Sequence, residues 1–256
     1  MASITFLGTG GGRFVVLSQR RYSGGIWLDL ECRIIIDPGP GALIRALQFG
    51  KNPQKLDAIF VSHKHLDHYS DTEILIEAMT YGMKEDRGTL VIEKNTLEYI
   101  SDYHKKAVNL IIPEPGNEFN IGDIKVETIP TFMHVDAIGF KFFSEHGIIT
   151  YSSDTDYNKK LIPYYKKSKI LILNSIFPSG REIKTHLNVD KVIEIARNAK
   201  PDLLILNHFG MQMLNANPER EAKRVEDKTG VKTIAARDGM EIDLELKKKE
   251  RQTTLI

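Results

Sequence analysis

Four side chains able to bind a metal fall within six residues: His63, His65, Asp67 and His68 in Ser62-His63-Lys64-His65-Leu66-Asp67-His68. Three histidines and an aspartate at that density serve no ordinary packing purpose. The bland reading is a polar, partly solvated loop without metal. Imidazole nitrogens and carboxylate oxygens suit zinc, and they also fit manganese or iron. The run Ala58 to Val61 just before them reads as a strand, in which residues two apart share a face. His63 and His65 can then bind one ion together, and once the chain turns into a helix Asp67 and His68 can address a second.

Two ions need more ligands than four, so further His and Asp residues are expected at other strand ends. His134 follows Thr131-Phe132-Met133, Asp154 follows the run Ile148 to Ser153, and His208 follows Leu203-Leu204-Ile205-Leu206-Asn207. Each sits where an apolar strand gives way to a polar loop. Two divalent ions roughly 3.5–4 Å apart can share a bridging water, lower its pKa toward neutrality and stabilise charge on the group that the hydroxide attacks. Hydrolysis is the chemistry this implies. Asp67 can orient the nucleophile, and the leaving group needs a proton donor on the opposite side. His186, in Lys184-Thr185-His186-Leu187, is the candidate; its alternative is a helix-capping histidine with no catalytic part.

These residues need a scaffold of strands that end together. Ile4 to Leu7, Gly25 to Leu30, Arg33 to Ile36 and Ala58 to Val61 read as strands, with Glu31-Cys32 turning a hairpin. Asp37-Pro38-Gly39-Pro40-Gly41 is a rigid loop, Ala42 to Phe49 a helix, and Asp71 to Tyr81 a second helix with Ser70 or Asp71 as its cap. Further strands are expected at Thr89 to Glu93, Ile124 to Ile129, Ile138 to Phe143, Ile148 to Ser152, Ile170 to Asn174 and Leu203 to Leu206. A helix from Asn188 ends before Pro201, another runs from Asn217-Pro218 to Gly230, and Val231 to Ala235 with Met240 to Leu246 are expected to close the chain as a hairpin. No clear helix is expected after Gly10-Gly11-Gly12, which reads as a tight turn near the metals rather than a nucleotide loop, since no Gly-Lys-Ser/Thr follows. Arg13, Arg20 and Arg21 are candidate phosphate contacts there. His104 and His146 fall outside the pattern and read as surface residues. Interleaved strands and helices favour two sheets between helical layers, in a single domain spanning residues 1–256.

The segment His63 to His68 matches residue for residue the His-x-His-x-Asp-His signature of the metallo-β-lactamase superfamily, which the chain resembles over nearly its whole length. The resemblance implies an α/β, four-layer αββα sandwich. It implies one ion held by His63, His65 and His134, another by Asp67, His68 and His208, and Asp154 bridging. Asp37, in Ile36-Asp37-Pro38-Gly39, matches a position near the metals and would orient a ligand from behind, or serve simply as a turn residue. Phe6-Leu7-Gly8-Thr9-Gly10 and the placement of His186 resemble the tRNA 3′-processing endonucleases (tRNase Z) and related phosphodiesterases. By that resemblance His186 binds substrate or acts as the acid. The stretch Ile172 to Phe177 lacks the Glu of the His-Glu-Ala-Thr relay, and no glycine- and proline-rich tRNA-gripping arm is present. The expected substrate is therefore a small-molecule or oligonucleotide phosphodiester.

The same metal core would serve a lactone, a thioester or a β-lactam. A redox role would need a flavin domain, for which no chain is left over. A non-catalytic RNA- or protein-binding scaffold is the reading from another class, and seven ligands with open positions argue against it. Thirty-five basic against thirty-four acidic residues single out no partner by charge. Cys32 is the only cysteine, which excludes an intrachain disulfide and a cysteine zinc site. The N-terminus lacks a basic segment followed by an apolar one, and no run approaches roughly eighteen apolar residues. A cytoplasmic protein with no membrane contact is expected, and a homodimer is compatible with the family resemblance.

Overall fold

The computed structural model describes residues 1–181 and 183–245. One sheet has the order β15-β1-β2-β3-β4-β5-β6, with β1 (Ser3–Phe6), β2 (Ile26–Asp29), β3 (Arg33–Ile36), β4 (Ala58–Val61), β5 (Thr89–Ile92), β6 (Asn109–Ile111) and β15 (Glu241–Asp243). The other has the order β14-β13-β11-β10-β9-β8-β7, with β7 (Glu118–Ile121), β8 (Ile124–Pro130), β9 (Ile138–Ser144), β10 (Gly147–Tyr151), β11 (Ile170–Phe177), β13 (Leu203–Asn207) and β14 (Thr233–Ala235). The short β12 (Leu187–Asn188) pairs with β11 beside this path. The helices are α1 (Arg13–Ser18), α2 (Ala42–Gln48), α3 (Leu66–Tyr69), α4 (Thr72–Met79), α5 (Asp102–Lys105), α6 (Ile162–Tyr165), α7 (Val189–Ala199), α8 (Met211–Ala216) and α9 (Pro218–Thr229).

Side-chain alternation explains the layering. In β3, Ile34 and Ile36 enter the core between the sheets while Ile35 faces the helical side; in β11, Ile170 and Ile172 point inward while Leu171 and Leu173 face the other helices. Such strands are buried on both faces, which is why they read as unbroken apolar runs. Phe60, Phe140 and Phe142 form the aromatic centre of the inter-sheet core, with ring centroids 5.0 and 5.2 Å from Phe60. Ala42, Ala46, Leu75 and Ile76 of α2 and α4 cover the first sheet, and Val192, Ile193, Ala196 and Val225 of α7 and α9 cover the second. This is the αββα sandwich.

Several elements differ from the sequence expectation. The residues after Gly12 do form a helix, α1, whose only buried residue is Val15; with Phe14 and Leu17 exposed, it has no amphipathic period to reveal it. The expected closing hairpin does not form between the described strands: β14 pairs in parallel with β13, whereas β15 crosses to pair with β1. Strands this short owe their partners to tertiary contacts that local pattern does not encode. The strands β6 and β7 and helix α8 were not foreseen. Asp71 precedes α4 but makes no side-chain cap, and its carboxylate instead accepts the Leu43 N–H at 3.1 Å. Leu246 and the Lys247-Lys248-Lys249 run lie outside the described residues. Among the described residues, no helix is long and apolar enough to cross a membrane.

Candidate metal centre

Parallel pairing of β3 with β4, and of β11 with β10 and β13, brings the C-terminal ends of these strands to one rim of the sandwich. Asp37 follows β3, the His63–His68 segment follows β4, His134 follows β8, Asp154 follows β10 and His208 follows β13. At the ends of four of these strands the chain turns through a left-handed residue other than glycine: Asp37 (φ 51°), Met133 (φ 57°), Ser153 (φ 57°) and His208 (φ 61°). Each such residue costs about 1–3 kcal/mol and persists because its surroundings hold it. These bends lift the side chains off the sheets and into the rim. The glycine turn packs against the same place: a Cβ on Gly11 would lie 2.1 Å from His208 Nδ1, and the Gly12 N–H donates to Asp67 Oδ2 at 3.2 Å.

Two groups of donors result. His63, His65, His134 and Asp154 each offer one atom such that all lie within 4.8 Å of one another, as do Asp67, His68 and His208. Asp154 joins the groups, with Oδ2 3.8 Å from both His134 Nε2 and His68 Nε2 and Oδ1 3.5 Å from His208 Nδ1. His134 Nε2 and His208 Nδ1 are buried without a hydrogen-bond partner. Imidazole nitrogens also face each other at 3.1 Å (His63 Nε2 and His65 Nδ1) and 3.0 Å (His68 Nε2 and His208 Nε2). Orphaned, mutually facing donors among carboxylates fit divalent cations.

For the first group of donors the electrostatics agree with that fit. Burial pulls the pKa values of His63 and His65 down and that of His134 to about 4, which leaves neutral imidazoles able to ligate. Burial also opposes charge on His68, but the carboxylates of Asp37, Asp67 and Asp154 outweigh it and raise this imidazole to about 10. Burial would raise Asp67 and Asp154, yet the surrounding histidines, His68 foremost for Asp67 and His208 for Asp154, hold both below the usual carboxylate range.

Asp37 is the hub behind this arrangement. Its Oδ1 accepts the Ser62 N–H at 2.7 Å; its Oδ2 is 2.8 Å from His68 Nδ1 and accepts the hydroxyls of Ser62 (2.7 Å) and Tyr151 (2.6 Å). His68 is thereby turned with Nε2 toward the rim, and Ser62 Oγ contacts His63 Nδ1 at 2.9 Å to turn that ring likewise. Asn174 Nδ2 then links Tyr151 Oη (2.9 Å) to Asp154 Oδ1 (2.8 Å). Neither Tyr151 nor Asn174 was singled out from sequence. The available signal was the polar Asn174 inside the buried run Ile170 to Phe177. Asp238, in the turn before β15, accepts from Thr9 N–H (2.8 Å), Thr9 Oγ1 (2.7 Å) and Tyr22 N–H (2.9 Å), and so holds the glycine turn.

His186 also reaches the rim: Nε2 is 3.4 Å from Asp154 Oδ2, and its ring centroid is 4.6 Å from that of His134. It lines a cavity of about 430 Å³ with Asp67, Asp154, His65 and His208, walled by Val16, Leu17, Leu66 and Ile176, with Arg13 and Lys64. Arg20 and Arg21 do not line it; Arg20 Nη1 is engaged by Asn215 (2.8 Å) and Arg21 Nη1 by Thr9 (3.2 Å). His104 and His146 stand apart from the centre but are not surface side chains. His104 packs between Glu73 (3.2 Å) and Glu77 (3.3 Å), and His146 is 3.3 Å from Glu145, with only 12% and 9% of their side chains exposed.

A model of the beta-lactamase superfamily domain matches residues 32–209. The chain belongs to the metallo-β-lactamase superfamily. It is 35% identical over 254 residues to an uncharacterized protein of Methanocaldococcus jannaschii, covering 94% of each chain. It is 23% identical to ribonuclease Z of Thermococcus kodakarensis, covering 93% of each. The crystal structure of the metallo-beta-lactamase fold protein YhfI of Bacillus subtilis superposes with a TM-score of 0.80 at 19% identity, covering 94% of this chain and 98% of that one. Within the superfamily the chain is a metallo-hydrolase whose relatives include ribonuclease Z.

Proposed function

We propose that this metallo-hydrolase cleaves a small phosphodiester, cyclic or linear, using His63, His65, His134 and Asp154 for one divalent ion and Asp67, His68 and His208 for a second. Zinc suits the donor set best. When bound, such ions supply Lewis acidity and lower the pKa of water toward neutrality. The observation that carries the reading is His186, which projects into the cavity from outside the two donor groups, where a leaving group would sit. In this reading Asp67 accepts a hydrogen bond from the attacking water, and its own orientation is held by the Gly12 N–H. His186 Nε2 donates a proton to the departing oxygen. Arg13 and Lys64 at the cavity attract an anionic diester. Similarity to ribonuclease Z supports phosphorus chemistry. The absence of the gripping-arm sequence supports a substrate smaller than tRNA.

The cavity wall of Val16, Leu17, Leu66 and Ile176 favours a second reading, a lactone or thioester with an apolar arm. Hydrolysis of bis(p-nitrophenyl) phosphate and of a dinucleoside monophosphate, by protein of measured metal content, separates the two. Turnover that Asp67→Ala abolishes is the expected result. No turnover of either diester with two ions bound per chain would overturn the phosphodiesterase reading, and a lactone and thioester panel would then test the other.

A further inference from the structure

The loop that carries His186 leaves β11 at Phe177 and returns at β12, and the first turn of α7 fastens it. Asp190 accepts from Ser179 Oγ (2.7 Å) and from the Gly180 N–H (2.7 Å), and Asn188 Nδ2 donates to the Arg181 carbonyl at 2.5 Å. Lys191 reaches furthest. Its ammonium donates to the carbonyl of His186 at 3.1 Å, to the carbonyl of Ile183 and to the carboxylate of Asp156. Asp156 lies two residues beyond Asp154. Its N–H donates to the Phe132 carbonyl at 2.8 Å, and the Phe132 N–H donates to Thr155 Oγ1 at 2.9 Å. One ammonium therefore joins the loop of His186 to the segment of Asp154, which is itself zipped to the loop of His134.

The His186 side chain itself is held by Asp154, whose Oδ2 is 3.4 Å from Nε2, and by the neighbouring ring of His134. Its ring contacts Thr185 Oγ1 through Nδ1 at 2.9 Å and remains 20% exposed. A lysine that is 22% exposed, beside a carboxylate that is 14% exposed, is a partly desolvated pair whose donors are all committed to this junction.

We infer that Lys191 is the positioning residue for His186: by gripping the loop carbonyls against Asp156 it sets the distance between the proposed proton donor and the donor groups around Asp154. The inference rests on the proton-donor role of His186, and it concerns placement, since Lys191 does not reach the cavity. Misplacement of a reacting group by about 1 Å can cost on the order of 100-fold in rate.

The test uses the metal-loaded full chain and two diesters that differ in need for an acid. The p-nitrophenolate of bis(p-nitrophenyl) phosphate departs without a proton, whereas the alkoxide of a dinucleoside monophosphate requires one. Lys191→Met is expected to lower kcat on the dinucleoside monophosphate by roughly 10- to 100-fold, to leave bis(p-nitrophenyl) phosphate nearly unchanged, and to have no further effect in a His186→Ala background. Lys191→Arg, which keeps the charge, should recover much of the loss. Equal slowing of both diesters, or a full effect of Lys191→Met without His186, would overturn the inference while leaving the phosphodiesterase reading intact. A His186→Ala variant that slows both diesters alike removes the donor role, and the inference with it. No diester turnover by the unaltered chain removes both the inference and the reading. Should Lys191→Met not fold, Asp156→Asn, which leaves the lysine and its carbonyls in place, carries the same comparison: selective slowing of the dinucleoside supports the inference, and uniform or absent slowing overturns it.

Discussion

The two ends of the sandwich each gather histidine and carboxylate, and only one of them is built as a site. At the rim where β3, β4, β10 and β13 end, seven donors converge, and His63, His68, Asp154 and His208 are buried. At the opposite end, the β2–β3 and β9–β10 turns bring Glu31, Glu145 and His146 within the same 4.8 Å spacing, with both glutamates exposed. Glu31 there accepts the backbone N–H of Glu145, a bond that joins two turns. Beyond their number, what separates the two clusters is the layer behind the donors. Asp37 and Ser62 fix the rings of His68 and His63 from inside the protein, and Tyr151 and Asn174 tie Asp37 to Asp154. Among the described residues nothing equivalent stands behind Glu31 and Glu145, which are both exposed.

The largest effect expected from this contrast is on the rim itself: chelation, or Asp67→Ala, should bring diester hydrolysis to background, measured beside the metal content of each preparation. Asp37→Ala touches no proposed substrate position, yet should weaken metal binding by roughly 10- to 100-fold in competition with a chromophoric chelator. Retention of full affinity would show that the donors alone suffice and would erase the distinction between the two ends. Tyr151→Phe removes the hydrogen bond to the Asp37 carboxylate and the one from Asn174, and should cost about 1.5–3 kcal/mol in thermal or denaturant unfolding.

At the other end, Glu31→Gln combined with His146→Ala should leave metal stoichiometry and turnover unchanged; loss of a bound ion would make that cluster a site after all. The smallest effect concerns Cys32 nearby. Burial, reinforced by Asp57, Glu31 and Asp123, pushes its thiol from 9.0 up to about 12, so thiol reagents at pH 8 should react slowly until the protein is unfolded. The sign for stability follows: the contribution is level below pH 9 and falls above it, as the unfolded thiol ionises while the folded one does not.

The rim was legible in sequence to the extent that it is local. His63, His65, Asp67 and His68 declare themselves by spacing, and His134, Asp154 and His208 by their place after apolar runs, because a strand end is a local feature. Arg20 and Arg21 illustrate the limit. They carry the right charge in the right segment, but their guanidinium groups are taken up by Asn215 and Thr9 from distant or folded-back chain. The helix α1 was illegible for a related reason, since an exposed apolar turn has no period.

By itself the sequence determined the ligand types, the strand ends that carry them and the alternation that makes two sheets between helical layers, because each depends on residues close along the chain. The tertiary structure alone decided the crossing of β15 to the first sheet, the Asp37–Tyr151–Asn174–Asp154 chain of hydrogen bonds and the tie that Lys191 makes between the loop of His186 and Asp156. Those contacts join residues at least 20 positions apart along the chain, and their geometry exists only once the fold has formed.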